Sequence, residues 1–196
     1  ACRPFDKDRD GFIYGESCAA VVLERPNHDR ASARKNYGSI AGTSVVMDGN
    51  RNPDPSLDGE MKAIRDAIDR AGLSAEEIDY INPHGSGSVI GDETEVRAIT
   101  ESGLKHAWMN STKSITGHGM SSAGAVELVA ILIQMQESRL HPSRNLADPI
   151  STECNWVGES SMSHEIQNAL NISLGFGGMN TALVVRAPET IVEVAS

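Results

Sequence analysis

The sequence predicts an α/β protein, a mixed sheet with helices packed on it, and three observations carry that expectation. Short apolar runs alternate with longer stretches whose apolar residues recur at helical spacing. Loops rich in Gly, Ser and Thr follow directly on two of those runs, where open α/β sheets place ligands. The chain then closes on a strand, a glycine turn and a strand. With 196 residues, 39% of them hydrophobic, one core and one domain are the default.

The elements follow in order. Residues 6–16 form a polar turn that opens into the apolar run Ser17 to Glu24, bounded by Pro26 and read as a buried strand. After a polar connection from His28 to Lys35, Tyr37 to Met47 reads as a second strand pairing antiparallel with the first. Pro53 and Pro55 mark a loop, and Ser56 caps a helix whose Met61, Ile64, Ala67, Ile68 and Ala71 share one face before Gly72 stops it. Ile78 to Asn82 is a brief strand that delivers Pro83-His84-Gly85-Ser86-Gly87-Ser88, and a helix runs from about Asp92 to Glu101. Trp108 to Asn110 repeats the plan, handing over to Ser111 to Gly119 and then to a small-residue helix from about Ser121 to Glu137. Ala169–Leu174 and Met179–Arg186 flank Gly175-Phe176-Gly177-Gly178.

Composition removes several functions. A formal net charge of -10 gives no purchase on a phosphate backbone, so nucleic acid is not an expected partner. No run reaches about 18 uninterrupted apolar residues, which excludes a membrane-spanning helix. Three cysteines, Cys2, Cys18 and Cys154, without paired spacing argue for no disulfide framework and no metal, and fit a reduced cytoplasm. Asn110-Ser111-Thr112 and Asn171-Ile172-Ser173 match a glycosylation pattern short enough to occur by chance. Asp6-x-Asp8-x-Asp10-Gly11 imitates a calcium loop, but its twelfth position is Ser17, so a turn held by Asp side chains is the better reading.

His84, Lys113 and His118 are the strongest chemical signal, each in a polar loop after a strand. Converged, two neutral imidazoles would donate Nε2–H to a thioester or enolate oxygen beside an ammonium. The plainer alternative has each histidine capping a turn. Glu127, inside Gly124 to Val129, either partners Lys113 or faces solvent. Gly175 and Gly177 suit a tight turn with positive φ, and Phe176 between them either faces a channel or packs.

Four motifs in one order resemble the β-ketoacyl synthase family of fatty-acid and polyketide condensing enzymes. They are Arg3-Pro4-Phe5-Asp6 with Arg9 to Phe12 and Gly15-Glu16; Asn82 to Ser88 with Gly91-Asp92 and Glu95; Lys113-Ser114 with Gly117-His118 and Ala123-Gly124; and Gly175 to Gly178 with Asn180. The resemblance implies the C-terminal half of a thiolase-like fold over residues 1–196, with 1–12 as the junction from the N-terminal half and 188–196 as a tail. It implies that His84 and His118 assist malonyl decarboxylation, that Lys113 with Glu127 organises the second histidine, that Ser86 and Ser88 meet a pantetheine arm, and that Phe176 gates the site. It implies no bound cofactor beyond the phosphopantetheine of an acyl carrier protein partner, a missing N-terminal ketosynthase half carrying the nucleophile, and a homodimer of the full-length protein.

Ser17-Cys18-Ala19 after Glu16, Pro83, Ser86 and Ser88 depart from the usual pattern and resemble a subgroup that decarboxylates malonyl-carrier protein without condensing. Condensation, decarboxylation alone and a non-catalytic partner subunit resembling chain-length factors stay open at this point, as does a carrier-docking module. Without its other half the chain is expected to be inactive in condensation and to expose part of the helix near Ala125 to Met135.

Overall fold

A computed structural model describes residues 1–25, 35–50 and 53–188. The elements are β1 (Ser39–Met47), α1 (Leu57–Arg70), β2 (Tyr80–Asn82), α2 (Val89–Glu101), β3 (Trp108–Met109), α3 (Lys113–Thr116), α4 (Ala123–Glu137), β4 (Arg139–Leu140), β5 (Asn155–Trp156), β6 (Met162–Ser163), β7 (Asn168–Gly175) and β8 (Met179–Arg186). Six strands form one mixed sheet in the order β1-β8-β7-β2-β3-β5, and β4 pairs with β6 apart from it. The run from β7 to β5 is parallel, whereas β8 lies antiparallel to both of its neighbours, β1 and β7.

Side-chain alternation divides the sheet between two cores. Ile81, Leu170, Ile172, Ala182 and Val184 point to α1 and α2, where Ile64, Ala67, Ile68, Val96 and Ile99 meet them. Tyr80, Ala169 and Val185 point the other way, to Leu128, Ile131 and Met135 of α4. Each of these isoleucines, buried in full, contributes roughly 1.5–3 kcal/mol. α1 lies close on β1 because Gly42 has no side chain: a Cβ there would stand 2.1 Å from the Ala67 carbonyl oxygen.

The predicted α/β architecture holds, with corrections at the amino-terminal end. Residues 17–24 form no strand, and Val22 and Leu23 are exposed, so the predicted buried strand and its pairing with Tyr37 to Met47 are wrong. β1 pairs instead with β8, from Ser39–Arg186 to Met47–Met179. An apolar run states a preference for burial but not which edge receives it. α2 begins three residues before the predicted start, because Ser88 caps it, accepting from Gly91 N at 3.3 Å. Lys113 opens the one-turn helix α3 rather than lying in a loop. The connection from His28 falls largely on residues 26–34, outside the described residues, as does most of the predicted tail.

Asp6 behaves as the turn reading requires: one oxygen accepts from Asp8 N, the other from Ala147 N and Asp148 N. Asn110 and Asn171, of the two glycosylation-like triplets, are both buried. Among the described residues no helix is long and apolar enough to cross a membrane.

The helix near Ala125 to Met135 lacks part of its cover, as expected, and the exposed apolar surface extends beyond it to β1. Ile133 on α4 is exposed, Val126 and Val129 are half-buried, and Val45 and Met47 of β1 add to the open surface. Self-association is the expected consequence. Sedimentation velocity over a dilution series checks it: one sedimentation coefficient at every concentration, matching a monomer, would refute it.

Candidate active site

β2 and β3 lie side by side and parallel, so the segments after them reach the same edge of the sheet. Asn82, the last residue of β2, fastens the two exits together. Its Oδ1 accepts from the Thr112 hydroxyl at 2.6 Å and from Thr112 N at 3.3 Å, and its Nδ2 donates to Asn171 on β7. His84 and Lys113 are thereby brought within reach of one another.

The loop holding His84 is built on its own backbone. Glu95 on α2 accepts from His84 N at 2.6 Å with one oxygen and from Gly85 N at 2.8 Å with the other. Gly85 has φ +44°, and a Cβ on it would stand 2.7 Å from Phe5 and 2.8 Å from Ser111, so the turn admits glycine alone. Arg9, nearly buried, ties the preceding segment to α2 through the Val89 carbonyl and Glu93.

His118 is held by residues far upstream. Its N–H donates to the Ile13 carbonyl at 2.7 Å, and its carbonyl accepts from Gly15 N at 3.0 Å. Phe12 meets the imidazole edge-on at a centroid distance of 5.2 Å, and Tyr14 packs on Phe12. At Gly15 a Cβ would stand 2.3 Å from the Thr116 carbonyl oxygen, which keeps the two segments in contact.

The two imidazoles face each other, ring centroids 5.3 Å apart and nearly perpendicular. Both use Nδ1 in the same way. Leu174 N donates to Nδ1 of His84 at 3.3 Å, and Met120 N donates to Nδ1 of His118 at 3.0 Å. An Nδ1 that accepts carries no proton, so in the neutral ring the proton is on Nε2. The turn-binding alternative and the chemical one are thus compatible: each histidine binds backbone with one nitrogen and keeps an N–H donor on the other.

Both rings are held neutral. Burial first, then Lys113 and His118, hold His84 well below the ordinary imidazole range; burial and then Lys113 lower His118. Because the folded state resists protonation that the unfolded state accepts, the stability of this arrangement is present above the unfolded imidazole value of about 6.5 and is lost as pH falls below it. Any reaction that uses the Nε2–H donors should therefore keep its rate from neutral pH through the ordinary imidazole range and fall only in stronger acid. A pH–rate profile with its acid limb at the ordinary histidine value would contradict this.

Lys113 is buried, forms an ion pair with Glu127 and donates to the His84 carbonyl. Burial raises the Glu127 carboxyl, and Lys113 and the Ser173 hydroxyl pull it back. Of the two readings of Glu127, the partnered one is correct. Lys113 makes its hydrogen bonds to the first histidine rather than the second, on which it acts only through space.

The remaining residues singled out are nearby but differently engaged. Ser86 accepts from Ser88 N, and Ser88 caps α2, so each hydroxyl is fixed in its own loop and keeps its proton to donate. Phe176 is exposed, in the turn between β7 and β8 that Gly175 opens and Gly177 and Gly178 complete with φ of +86° and +85°. Its strand supplies Leu174 N to His84, which connects the turn to the histidine pair. Cys2 and Cys154 are buried, and burial pushes both thiols up, away from nucleophilic use.

Sequence reasoning assigned no role to the Met120 and Leu174 amides, because backbone donors have no sequence signature, nor to Phe12 and Tyr14, whose ring contacts join segments about a hundred residues apart. Glu95 was within the motif and its contact to the loop was not foreseen.

The family model described as Beta-ketoacyl synthase, C-terminal domain, matches residues 37–147, and the corresponding N-terminal domain model matches residues 1–29. The chain is 57% identical over 186 residues to the polyketide biosynthesis malonyl-ACP decarboxylase PksF of Bacillus subtilis (strain 168), covering 95% of this chain and 45% of that protein. It is 38% identical over 192 residues to 3-oxoacyl-[acyl-carrier-protein] synthase 2 of Rhizobium meliloti (strain 1021), again covering 45% of it. Among solved structures, a type II polyketide-synthase acyl-carrier protein in complex with its ketosynthase, AntDE:AntF, matches with a TM-score of 0.88 at 31% identity, over 96% of this chain and 48% of that one. The chain spans about half the length of these relatives.

Proposed function

The chain belongs to the β-ketoacyl synthase family, and from that premise we propose that it supplies the half-site that removes carbon dioxide from a malonyl thioester on an acyl carrier protein. The observation that carries this reading is the paired Nδ1 acceptance, which leaves two neutral Nε2–H donors on facing rings. When the bond between the α-carbon and the carboxylate breaks, its electron pair moves onto the thioester unit and the oxygen becomes an enolate. Two N–H donors that need no reorganisation stabilise that oxygen more than they stabilise the neutral carbonyl before it. The buried ammonium of Lys113 adds positive field without entering the bond changes. A proton from solvent then converts the enolate to an acetyl thioester.

In this reading the substrate arrives on a phosphopantetheine arm, with Ser86 and Ser88 offering their hydroxyl protons to its amides and Phe176 at the mouth. A full-length homodimer completed by an N-terminal half is part of the same proposal. Decarboxylation without condensation is the better supported outcome, because the 57% identical relative is a malonyl-ACP decarboxylase. Retention of both histidines and of Lys113 argues against a non-catalytic partner subunit.

The test is incubation of malonyl-carrier protein, with and without an acyl-primed carrier, with this chain inside a protein of its relatives' full length. The carrier is read by intact mass. Acetyl-carrier with no extended product supports decarboxylation alone; a β-ketoacyl product makes the protein a condensing enzyme; unchanged malonyl-carrier sinks the half-site reading.

A further inference from the structure

The contact between Asn82 and Thr112 that joins the two exits is supported from outside by a residue the proposed chemistry leaves unused. His141, half-buried, follows β4 directly, and its Nε2 lies 3.3 Å from the Thr112 hydroxyl oxygen.

A backbone N–H donates and cannot accept, so wherever one enters a network it fixes the direction of the bonds beyond it. At the near end, Thr112 N–H donates to Asn82 Oδ1, which makes that oxygen an acceptor. The Thr112 hydroxyl, 2.6 Å from the same oxygen, must give its proton there as well. Its own oxygen is left to accept, and the donor in reach is Nε2–H of His141.

At the far end, His141 N–H donates to Gln134 Oε1 at 2.9 Å, which turns Gln134 Nε2 toward the Tyr80 hydroxyl at 3.0 Å. Tyr80 gives its proton to Asn110 Oδ1 at 2.6 Å, and Asn110 Nδ2 then donates to the His141 carbonyl while lying 3.1 Å from Nδ1 of the same ring. The circuit thus starts and ends on His141, through three buried polar side chains drawn from α4, β2 and the end of β3. An Nδ1 that accepts from Asn110 leaves the proton of the neutral ring on Nε2, where Thr112 needs it. The ring is neutral at neutral pH because burial lowers it from the ordinary imidazole range, against the opposing pull of the Pro142 carbonyl. That carbonyl also lies 3.0 Å from Nδ1, so the tautomer with its proton on Nδ1 is the competing arrangement.

We propose that His141 is a positioning residue for the half-site: its Nε2–H, aimed by the circuit through Gln134, Tyr80 and Asn110, holds the Thr112 hydroxyl on Asn82. Lys113 is the next residue after Thr112, and His84 is two residues past Asn82, so this one bond sets the relation between them. Donation into the Thr112 oxygen also strengthens the bond that Thr112 makes onward. The catalytic value of the device rests on the half-site reading above; the place of its proton does not.

The test uses this chain inside a protein of its relatives' full length, labelled with ¹⁵N at histidine. Long-range proton–nitrogen spectra at neutral pH are expected to show His141 with its proton on Nε2, its signals being those that vanish in His141→Gln. A neutral ring with the proton on Nδ1 overturns the proposal in the unsubstituted protein, active or not. His141→Phe keeps a ring and loses the donor, whereas His141→Gln loses the ring and keeps an N–H that reaches Thr112. The His84 ring signals should therefore move in His141→Phe and hold in His141→Gln; signals that ignore both substitutions overturn the proposal. In loss of carbon dioxide from malonyl-carrier protein, kcat should fall by about 10–10²-fold in His141→Phe with little change in KM, and stay within a few-fold in His141→Gln. Packing alone gives the opposite order, because phenylalanine fills the place of the imidazole better, and that order also overturns the proposal. An unsubstituted protein that releases no carbon dioxide refutes the half-site reading instead, and the spectra then decide the place and reach of His141 by themselves.

Discussion

Alanine in place of His84 should slow loss of carbon dioxide from a malonyl thioester by about 10²–10³-fold, with His118→Ala costing a similar factor. Each substitution removes one Nε2–H from the developing enolate and leaves the other ring held by its own backbone amide. Because the lost interaction is strongest in the transition state, the loss should fall on kcat with little change in KM. The double variant should lose less than the product of the two factors, since either ring alone cannot bracket the oxygen. Single-turnover release of carbon dioxide measures this directly. Rates within a few-fold of the unsubstituted protein for either single variant would remove the histidine pair from the mechanism.

The second large effect concerns the Lys113–Glu127 pair. Breaking a buried ion pair by deleting one partner costs ~3–5 kcal/mol, because the survivor is left without compensation. The survivors differ in how they escape. A stranded Glu127 can take up a proton, which caps the penalty at neutral pH near ~3.7 kcal/mol, and burial already pushes its carboxyl up. A stranded Lys113 is an ammonium buried without its counter-ion, and the full cost of the broken pair falls on it. Glu127→Leu is therefore expected to be less stable than Lys113→Met, and the combination Lys113→Met with Glu127→Leu more stable than either. Activity should follow another order, because both variants lacking Lys113 lose the ammonium that donates to the His84 carbonyl. Urea unfolding alongside the carbon dioxide assay separates the two orders. Equal stability of all three variants would mean that the pair is not buried as described.

The elements that carry chemistry were legible because each has a local signature. Ser56 and the spacing from Met61 to Ala71 defined α1, and the glycine-punctuated loops after two short apolar runs placed His84 and Lys113 on one sheet edge. The pairing of β1 with β8 was not legible, since those strands are far apart in sequence and any apolar run offers β1 an equally plausible partner. That ambiguity produced the mistaken strand at residues 17–24. Within the site, the residue types were readable and their division of labour was not. Whether Lys113 serves the first or the second histidine depends on a backbone carbonyl, and which nitrogen of each ring carries the proton depends on the Leu174 and Met120 amides.

The strand-like contact between residues 13–15 and His118 has a consequence for how such proteins can be recombined. The second histidine takes its backbone partners from a segment matched by the N-terminal family model, whereas its own position lies in the C-terminal one. A crossover placed at the start of β1, where the sheet begins and a domain boundary would naturally be drawn, would import His118 from one parent and its scaffold from another. Inheritance of a working site thus calls for a breakpoint upstream of Phe12, and the segment that must travel together is longer than the domain it serves.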